Sequence, residues 1–205
     1  MLSYIDPVLF PDELEILEVS PNQYVYPIFK NGSSGLKEKS IRTLSPDQVD
    51  KIGCVTVYIR DPFERYVSGV QTYLAYHPEL DRTTTLALID QFLFLDRHFC
   101  LQFHWIMNLH RQTKKNIWMT FQSTAELDNA IGETWNTLAR DQSLLDRFQQ
   151  NKRLWFYLQL DKILYEDYRD QTVTFPMILA KIRTKYPELY KETIERSRQL
   201  CAVLD

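Results

Sequence analysis

The chain has 205 residues, a length that suits one domain with a sizeable core. Its hydrophobic content of 44% and charged content of 25% argue against disorder, and its net charge of −3 gives no general attraction for nucleic acid. Three widely spaced cysteines without a Cys-x-x-Cys pair argue against a disulfide framework or a zinc site. We therefore expect a single domain over residues 1–205, with no metal and no nucleic-acid partner.

Membrane segments are not indicated by the hydropathy pattern. No apolar run reaches the ~18 residues that cross a bilayer, and the amino terminus lacks a basic segment followed by an apolar run. The pattern predicts a cytoplasmic protein, and it leaves the oligomeric state open.

The first informative segment follows a predicted strand over Tyr24–Phe29. It reads Lys30, Asn31, Gly32, Ser33, Ser34 and Gly35, and a helix is predicted from Leu36 to Leu44. A lysine, a glycine that can take positive φ and two hydroxyls at a helix start are typical of a loop that holds a phosphate.

The second informative segment follows a predicted strand over Cys54–Ile59. Arg60 stands at its carboxyl end, and a helix from Pro62 to about Tyr76 is predicted with Asp61 as N-cap and Glu64 in its first turn. Ser68 lies two turns into that helix, so Arg60 and Ser68 can converge near the carboxyl edge of a sheet. We interpret Arg65 as structural, with Asp61 as its expected partner.

Further along the chain, the pattern predicts a helix through Leu86 and Ile89 that is capped at Thr84 or Thr85. A strand over Asn116–Phe121 and a helix from Ala125 to about Ala139 follow, and the chain is predicted mostly helical from Leu144 onward. This order predicts an α/β fold with a central parallel sheet, helices on both faces and a helical carboxyl-terminal part.

Together, the Lys-x-Gly-Ser-Ser and Arg-Asp-Pro-x-x-Arg-x-x-Ser segments resemble the two cofactor-binding motifs of sulfotransferases that use 3'-phosphoadenosine 5'-phosphosulfate (PAPS). The resemblance is closest to the carbohydrate sulfotransferase type (sulfotransferase family 2), whose first loop reads roughly Pro-Lys-x-Gly-Ser-Thr-Ser-Leu. In this chain Phe29 stands in place of the proline, and Ser34 in place of the threonine. A third segment, with Asp96, His98, Phe99 and Gln102, is similar to the family's Asp-x-His-Trp-x-x-Gln run.

The resemblance implies a P-loop-like sulfotransferase fold and PAPS as co-substrate. The residues implied for the 5'-phosphosulfate are Lys30, Asn31, Gly32, Ser33, Ser34 and Gly35, and those implied for the 3'-phosphate are Arg60 and Ser68. Lys30 would also neutralise the charge that develops on the bridging oxygen. Eukaryotic members are generally anchored in the Golgi membrane, so the absence of an anchor suggests a bacterial or viral protein, or a trimmed one.

The acceptor hydroxyl must lose a proton, so a general base is expected. His98 is the first candidate because it lies in the third family-like segment, and Glu38 is the second because some relatives use a glutamate. His77, His104 and His110 are weaker candidates, and their spacing matches no metal motif.

The sequence thus predicts a sulfotransferase that moves a sulfuryl group from PAPS to a hydroxyl, with a carbohydrate or small-molecule acceptor. A non-catalytic module that binds the nucleotide remains an alternative. A P-loop nucleotide kinase is disfavoured, because its loop places the lysine after the glycine pair whereas Lys30 precedes Gly32.

Overall fold

The structure is a computed structural model, and it describes residues 14–28, 30–93, 97–113, 115–131 and 141–191. Within these ranges the strands form one six-stranded sheet in the order β3-β1-β2-β4-β5-β6. The strands are β1 Leu17–Ser20, β2 Gln23–Val25, β3 Arg42–Thr43, β4 Cys54–Ile59, β5 Trp118–Ser123 and β6 Thr172–Thr174.

The sheet is mixed, which corrects the expectation of a parallel sheet. Its three central strands β2, β4 and β5 are parallel, whereas β1 and β3 at one edge and β6 at the other pair in antiparallel fashion. The antiparallel edge begins with a hairpin between β1 and β2, whose turn holds Asn22 at φ +62°. Asparagine tolerates this left-handed conformation better than most residues, so the short turn is possible.

Helices flank both faces of the sheet, as predicted. They are α1 Ser33–Lys39, α2 Pro46–Val49, α3 Pro62–Tyr76, α4 Arg82–Phe92, α5 Gln102–Gln112, α6 Thr124–Ile131, α7 Gln142–Gln149, α8 Lys152–Tyr157, α9 Gln159–Tyr168, α10 Phe175–Lys185 and α11 Pro187–Leu189, with a 3₁₀ turn over Arg97–Phe99. In the described residues no helix is long and apolar enough to cross a membrane.

Side-chain alternation along β4 divides the core between the two faces. Val55, Val57 and Ile59 point into the larger core, which α3, α5, α9 and α10 cover. Tyr58 points the other way and packs with Leu36 of α1 and Leu127 of α6 in a smaller cluster. Alternate residues of a strand point to opposite faces, so one strand serves both clusters.

Several predicted bounds are wrong. The helix predicted to Leu44 ends at Lys39, because the chain turns back to the sheet: the Ile41 N–H donates to the Glu18 carbonyl at 2.7 Å, and β3 follows. The strand predicted over Tyr24–Phe29 is β2, which covers Gln23–Val25 and does not extend over residues 26–28, while Phe29 lies outside the described residues.

The later elements are shifted rather than misplaced. Asp81, and not Thr84 or Thr85, caps α4, since its carboxylate accepts from the Thr84 N–H at 2.7 Å. The strand predicted over Asn116–Phe121 is β5, displaced by two residues. The helix predicted from Ala125 is α6, and its predicted continuation from residue 132 to about Ala139 lies outside the described residues.

Candidate anion-binding site

Two loops meet at the carboxyl ends of β2 and β4. β2 leads through residues 26–28 into the Lys30 loop, which comprises residues 30–32, and β4 leads into Arg60. Val25 pairs with Thr56 in a parallel ladder, and the Tyr26 N–H donates to the Thr56 carbonyl at 2.9 Å. Because β2 and β4 are parallel neighbours, both loops lie at the same edge of the sheet.

The Lys30 loop is tightly curved. Lys30 has φ +70° and Gly32 has φ +79°, and α1 begins directly afterwards at Ser33. A Cβ on Gly32 would lie 2.6 Å from Cδ2 of Leu127, so both conformation and space require glycine here. Ser33 and Gly35 are buried and Ser34 is exposed. Ser34 therefore carries the hydroxyl of this turn that faces solvent.

Lys30 reaches across to α3. Its Nζ donates to Oγ1 of Thr72 at 2.7 Å, and that hydroxyl donates in turn to the Ser68 carbonyl at 2.9 Å. Ser68 and Thr72 are one helical turn apart on the same face of α3. The structure therefore brings the lysine of the first segment beside the serine of the second.

Arg60 stands where β4 ends and α3 begins. As predicted, Asp61 caps α3, accepting from the Glu64 N–H at 3.0 Å. Nε of Arg60 lies 3.7 Å from a carboxylate oxygen of Glu64, and the Arg60 side chain is 18% exposed. The guanidinium is held near the edge of the sheet while part of it faces solvent.

A buried amide pair connects the two loops. Gln102 Oε1 accepts from the Arg60 N–H at 2.9 Å and from Nδ2 of Asn31 at 2.6 Å, and its Nε2 donates to the Arg60 carbonyl at 3.0 Å. Nδ2 of Asn31 also donates to the Tyr58 carbonyl at 2.8 Å, and the Asn31 N–H donates to the Ile28 carbonyl at 3.0 Å. The backbone and side-chain donors of Asn31 are thus engaged within the protein.

Asp161 of α9 holds the first turn of α5. Its carboxylate accepts from the Gln102 and Phe103 N–H groups, each at 2.8 Å. Burial raises the pKa of Asp161, while nearby Arg65 and these hydrogen bonds oppose the rise. Burial likewise lowers the pKa of Arg65, and Asp161 opposes that shift.

Arg65 is buried, with 1% of its surface exposed. The Asp61 carboxylate caps α3, and Asp161 is the carboxylate that raises the pKa of Arg65 against the effect of burial. This buried charge pair lies behind the site and links α3, α5 and α9 to the edge where the two loops meet.

His98 packs against the face of α3 that carries Thr72. A Cβ on Gly69 would lie 2.5 Å from the His98 carbonyl oxygen, and the His98 ring centroid is 6.0 Å from that of Tyr76. Gly69 and Tyr76 share a helix face with Thr72. His98 is 8% exposed, so it lies along this face as a buried side chain.

The other base candidate, Glu38, lies at the carboxyl-terminal end of α1. Glu38 is exposed in the last turn of α1. His104 is buried, which lowers its pKa to about 4, with Arg65 adding to the effect.

Phe29 and Asp96 lie outside the described residues. In the described parts of the chain, no group of three or more His, Cys, Asp or Glu side chains could hold a metal ion.

A cavity of about 320 Å³ lies between α1, α6 and the β1–β2 hairpin. Its lining combines apolar and polar side chains: Val19, Val25, Leu36, Leu127 and Tyr58 with Ser20, Gln23 and Lys39. Leu127 also lies against Gly32, so one side chain borders both the cavity and the Lys30 loop.

Comparison with models of protein families, with curated proteins and with solved structures found no match for this chain.

Three positioning residues were not assigned a role from the sequence. Thr72 follows Ser68 by one helical turn, so the sequence places it on the same face of the predicted helix, which can meet a ligand, but it does not pair Thr72 with Lys30. Gln102 stood in the third family-like segment, but its contact with Asn31 joins residues 71 positions apart. Asp161 carried no local signal, because its partners are backbone N–H groups on another helix.

Proposed function

We propose that this chain is a PAPS-dependent sulfotransferase with the P-loop-like fold of that family. The observation that carries the proposal is the hydrogen bond from Nζ of Lys30 to Thr72, beside Ser68. It brings the lysine of the first segment to Thr72, whose hydroxyl donates to the carbonyl of Ser68, the last residue of the second segment. A ligand with one phosphate at each segment would find donors for both at one edge of the sheet.

The Lys30 loop would hold the 5'-phosphosulfate. Lys30 supplies a positive charge, and Ser34 presents an exposed hydroxyl on the first turn of α1. A lysine at this place stabilises the negative charge that develops on the oxygen between phosphorus and sulfur as that bond breaks.

Arg60 and Ser68 would hold the 3'-phosphate. A guanidinium offers a planar fork of donors suited to phosphate, and the Ser68 hydroxyl adds a neutral donor. Glu64 lies 3.7 Å from Nε of Arg60, so the phosphate would engage the remaining guanidinium nitrogens or displace this partly buried pair.

In the proposed reaction, a bond forms between the acceptor oxygen and sulfur, and the bond between sulfur and the bridging oxygen breaks. The electron pair of the broken bond leaves with adenosine 3',5'-bisphosphate, and the acceptor proton passes to a base. We propose His98 for this role, because it packs on the α3 face that also carries Thr72. Glu38 is the second candidate. The proposed acceptor is a hydroxyl of a carbohydrate or small molecule.

A non-catalytic nucleotide-binding module is the second candidate function. The burial of His98 and the exposed position of Glu38 in the last turn of α1 favour it. The two functions share the nucleotide site and differ only in turnover.

Calorimetric titration of the wild-type protein with adenosine 3',5'-bisphosphate, AMP and ATP tests the proposal. We expect at least about tenfold tighter binding of the bisphosphate than of AMP, which corresponds to about 1.4 kcal/mol for the added phosphate. A preference for ATP, or no preference between bisphosphate and AMP, would contradict it. Release of adenosine 3',5'-bisphosphate from PAPS with a panel of saccharides then separates the enzyme from the binding module.

A further inference from the structure

Gln102 makes hydrogen bonds to both loops of the candidate site. The side chain is fully buried at the first position of α5. Its single amide contacts the Arg60 N–H, the Arg60 carbonyl and Nδ2 of Asn31 at 2.9, 3.0 and 2.6 Å. No loop movement can separate Arg60 from Asn31 without breaking at least one of these bonds.

The orientation of the two amides follows from their partners. The Arg60 backbone offers one donor and one acceptor, which fixes the Gln102 carbonyl toward the N–H and its NH₂ toward the carbonyl. Asn31 then faces two acceptors, Gln102 Oε1 and the Tyr58 carbonyl, so it must present its NH₂ to both. Each amide has one orientation that satisfies its neighbours.

The carbonyl oxygen of the Asn31 amide accepts no hydrogen bond from the described residues. Its Oδ1 is buried and has no hydrogen-bond partner among the described residues, although Asn31 is only 1% exposed. A buried acceptor without a donor costs free energy, so Asn31 is held in place by its NH₂ contacts at some expense to stability. This supports a positioning role for the pair.

We propose that Gln102 is a positioning residue that sets the distance between the Lys30 loop and Arg60, so that two anionic groups of one ligand bind together. The inference rests on the proposed function, since it concerns a ligand with two phosphates. When two sites are held at the right spacing, a ligand that contacts both gains from the second contact without a new ordering cost. A ligand that contacts one site gains nothing from the spacing.

Asp161 supports this role from the other side. It accepts from the Gln102 N–H at 2.8 Å and is fully buried, so it fixes the backbone from which the Gln102 side chain extends. The positioning contacts thus run from α9 through α5 to both loops.

The test compares Gln102→Leu with Gln112→Leu as a matched control at the other end of the same helix, where Gln112 donates to Asn108. Adenosine 3',5'-bisphosphate, AMP and adenosine 3'-monophosphate are titrated into each variant. We expect Gln102→Leu to bind the bisphosphate about tenfold more weakly and both monophosphates within about twofold of wild type. Equal losses for all three ligands, or no loss for the bisphosphate, would overturn the inference.

Gln102→Glu serves if the leucine variant does not fold. An ionised glutamate would face the Arg60 carbonyl with an acceptor, whereas the protonated acid has the donor and acceptor pattern of glutamine. Asp161 and Arg60 contact residue 102, and Arg65 acts on Asp161. Because pH can also change the charge of these neighbours and of the ligands, wild type is titrated in every buffer as a reference. We expect the ratio of bisphosphate to AMP affinity to be reduced at neutral pH and to recover toward wild type as pH falls. A ratio that stays reduced at every pH would contradict the role.

Amide hydrogen exchange provides a readout that needs no nucleotide. In Gln102→Leu we expect faster exchange at Asn31 and Arg60 than in Gln112→Leu, with exchange in β5 unchanged. If wild type shows no preference for the bisphosphate, the proposed function fails and the ligand part of the inference fails with it. Hydrogen exchange then still tests whether Gln102 holds the two loops together. Unchanged exchange at Asn31 and Arg60 in Gln102→Leu would overturn this structural role as well.

Discussion

Nζ of Lys30 lies 2.7 Å from Oγ1 of Thr72, so a lysine in a left-handed turn after β2 is hydrogen-bonded to the carboxyl-terminal half of α3. A non-glycine residue at positive φ costs roughly 1–3 kcal/mol and persists where its surroundings impose it. The contact with Thr72 places the amino group beside Ser68, where the proposed ligand would bridge the two segments.

Thr72→Val is expected to weaken binding of adenosine 3',5'-bisphosphate by about three- to tenfold while retaining the fold. Valine keeps the shape of the buried threonine but removes the acceptor for Lys30, a loss of about 0.5–1.5 kcal/mol. Isothermal titration gives the affinity. Thr85→Val is the control, because Thr85 is also a buried helical threonine and lies on α4. Equal affinities in Thr72→Val and wild type would show that the contact does not position Lys30.

Gly32→Ala is expected to lower the free energy of unfolding by about 1–3 kcal/mol, because the new Cβ would meet Leu127 at a positive φ. Urea denaturation measures the change. Gly53→Ala is the matched control, since a Cβ there would meet nothing within 4 Å.

The double variant Gly32→Ala, Leu127→Ala separates the two causes. Its interaction free energy should be favourable if the collision matters, because removing the leucine makes room while the backbone strain remains. Purely additive changes would assign the whole effect to the conformation of Gly32.

The two described cysteines should differ in reactivity. Cys54 is exposed, whereas Cys100 is buried and its pKa is raised to about 12 by burial. In a Cys201→Ser background we expect one thiol to react with a disulfide reagent at least about 100-fold faster than the other, because the thiolate is the reactive form. Cys54→Ser should remove the fast phase. A fast phase that survives this change would contradict the burial of Cys100.

His104 should contribute a fall in folding stability as pH decreases between 6.5 and about 4. Burial lowers the pKa of His104 from 6.5 to about 4 in the folded protein, so in this range the unfolded chain binds a proton that the folded chain does not. The contribution of His104 to folding stability is complete above the pKa of the unfolded chain. It is lost as pH falls toward the pKa of the folded protein, by roughly 1–3 kcal/mol. Urea denaturation as a function of pH measures it.

His104→Gln should flatten this pH dependence, because it removes the buried imidazole. Identical pH slopes in wild type and His104→Gln would contradict a neutral, buried His104.

Local signals explain what the sequence predicted well. β4 and α3 have their predicted bounds because the apolar alternation over Cys54–Ile59 and the cap at Asp61 are decided by neighbours in the chain. By contrast, Arg42–Thr43 became a strand through pairing with β1, and a two-residue edge strand has no signal of its own.

The same distinction applies to the site. The types of residue that could hold anions were readable, because lysine, glycine and serine in one turn suggest that chemistry. The positions of these residues relative to one another could not be predicted, because Lys30 contacts Thr72 and Asn31 contacts Gln102 only after the chain has folded. The roles of His98 and Glu38 remain predictions.

Whether Lys30 and Arg60 serve two phosphates of one ligand is decided by calorimetric titration of adenosine 3',5'-bisphosphate and AMP into wild type, Lys30→Ala and Arg60→Ala. We expect Arg60→Ala to lose about 10- to 100-fold in affinity for the bisphosphate and little for AMP, because hydrogen bonds to charged groups contribute about 1.5–3 kcal/mol. Lys30→Ala should weaken both ligands. Equal loss of both ligands in Arg60→Ala, or no binding by folded wild type, would contradict the two-phosphate site.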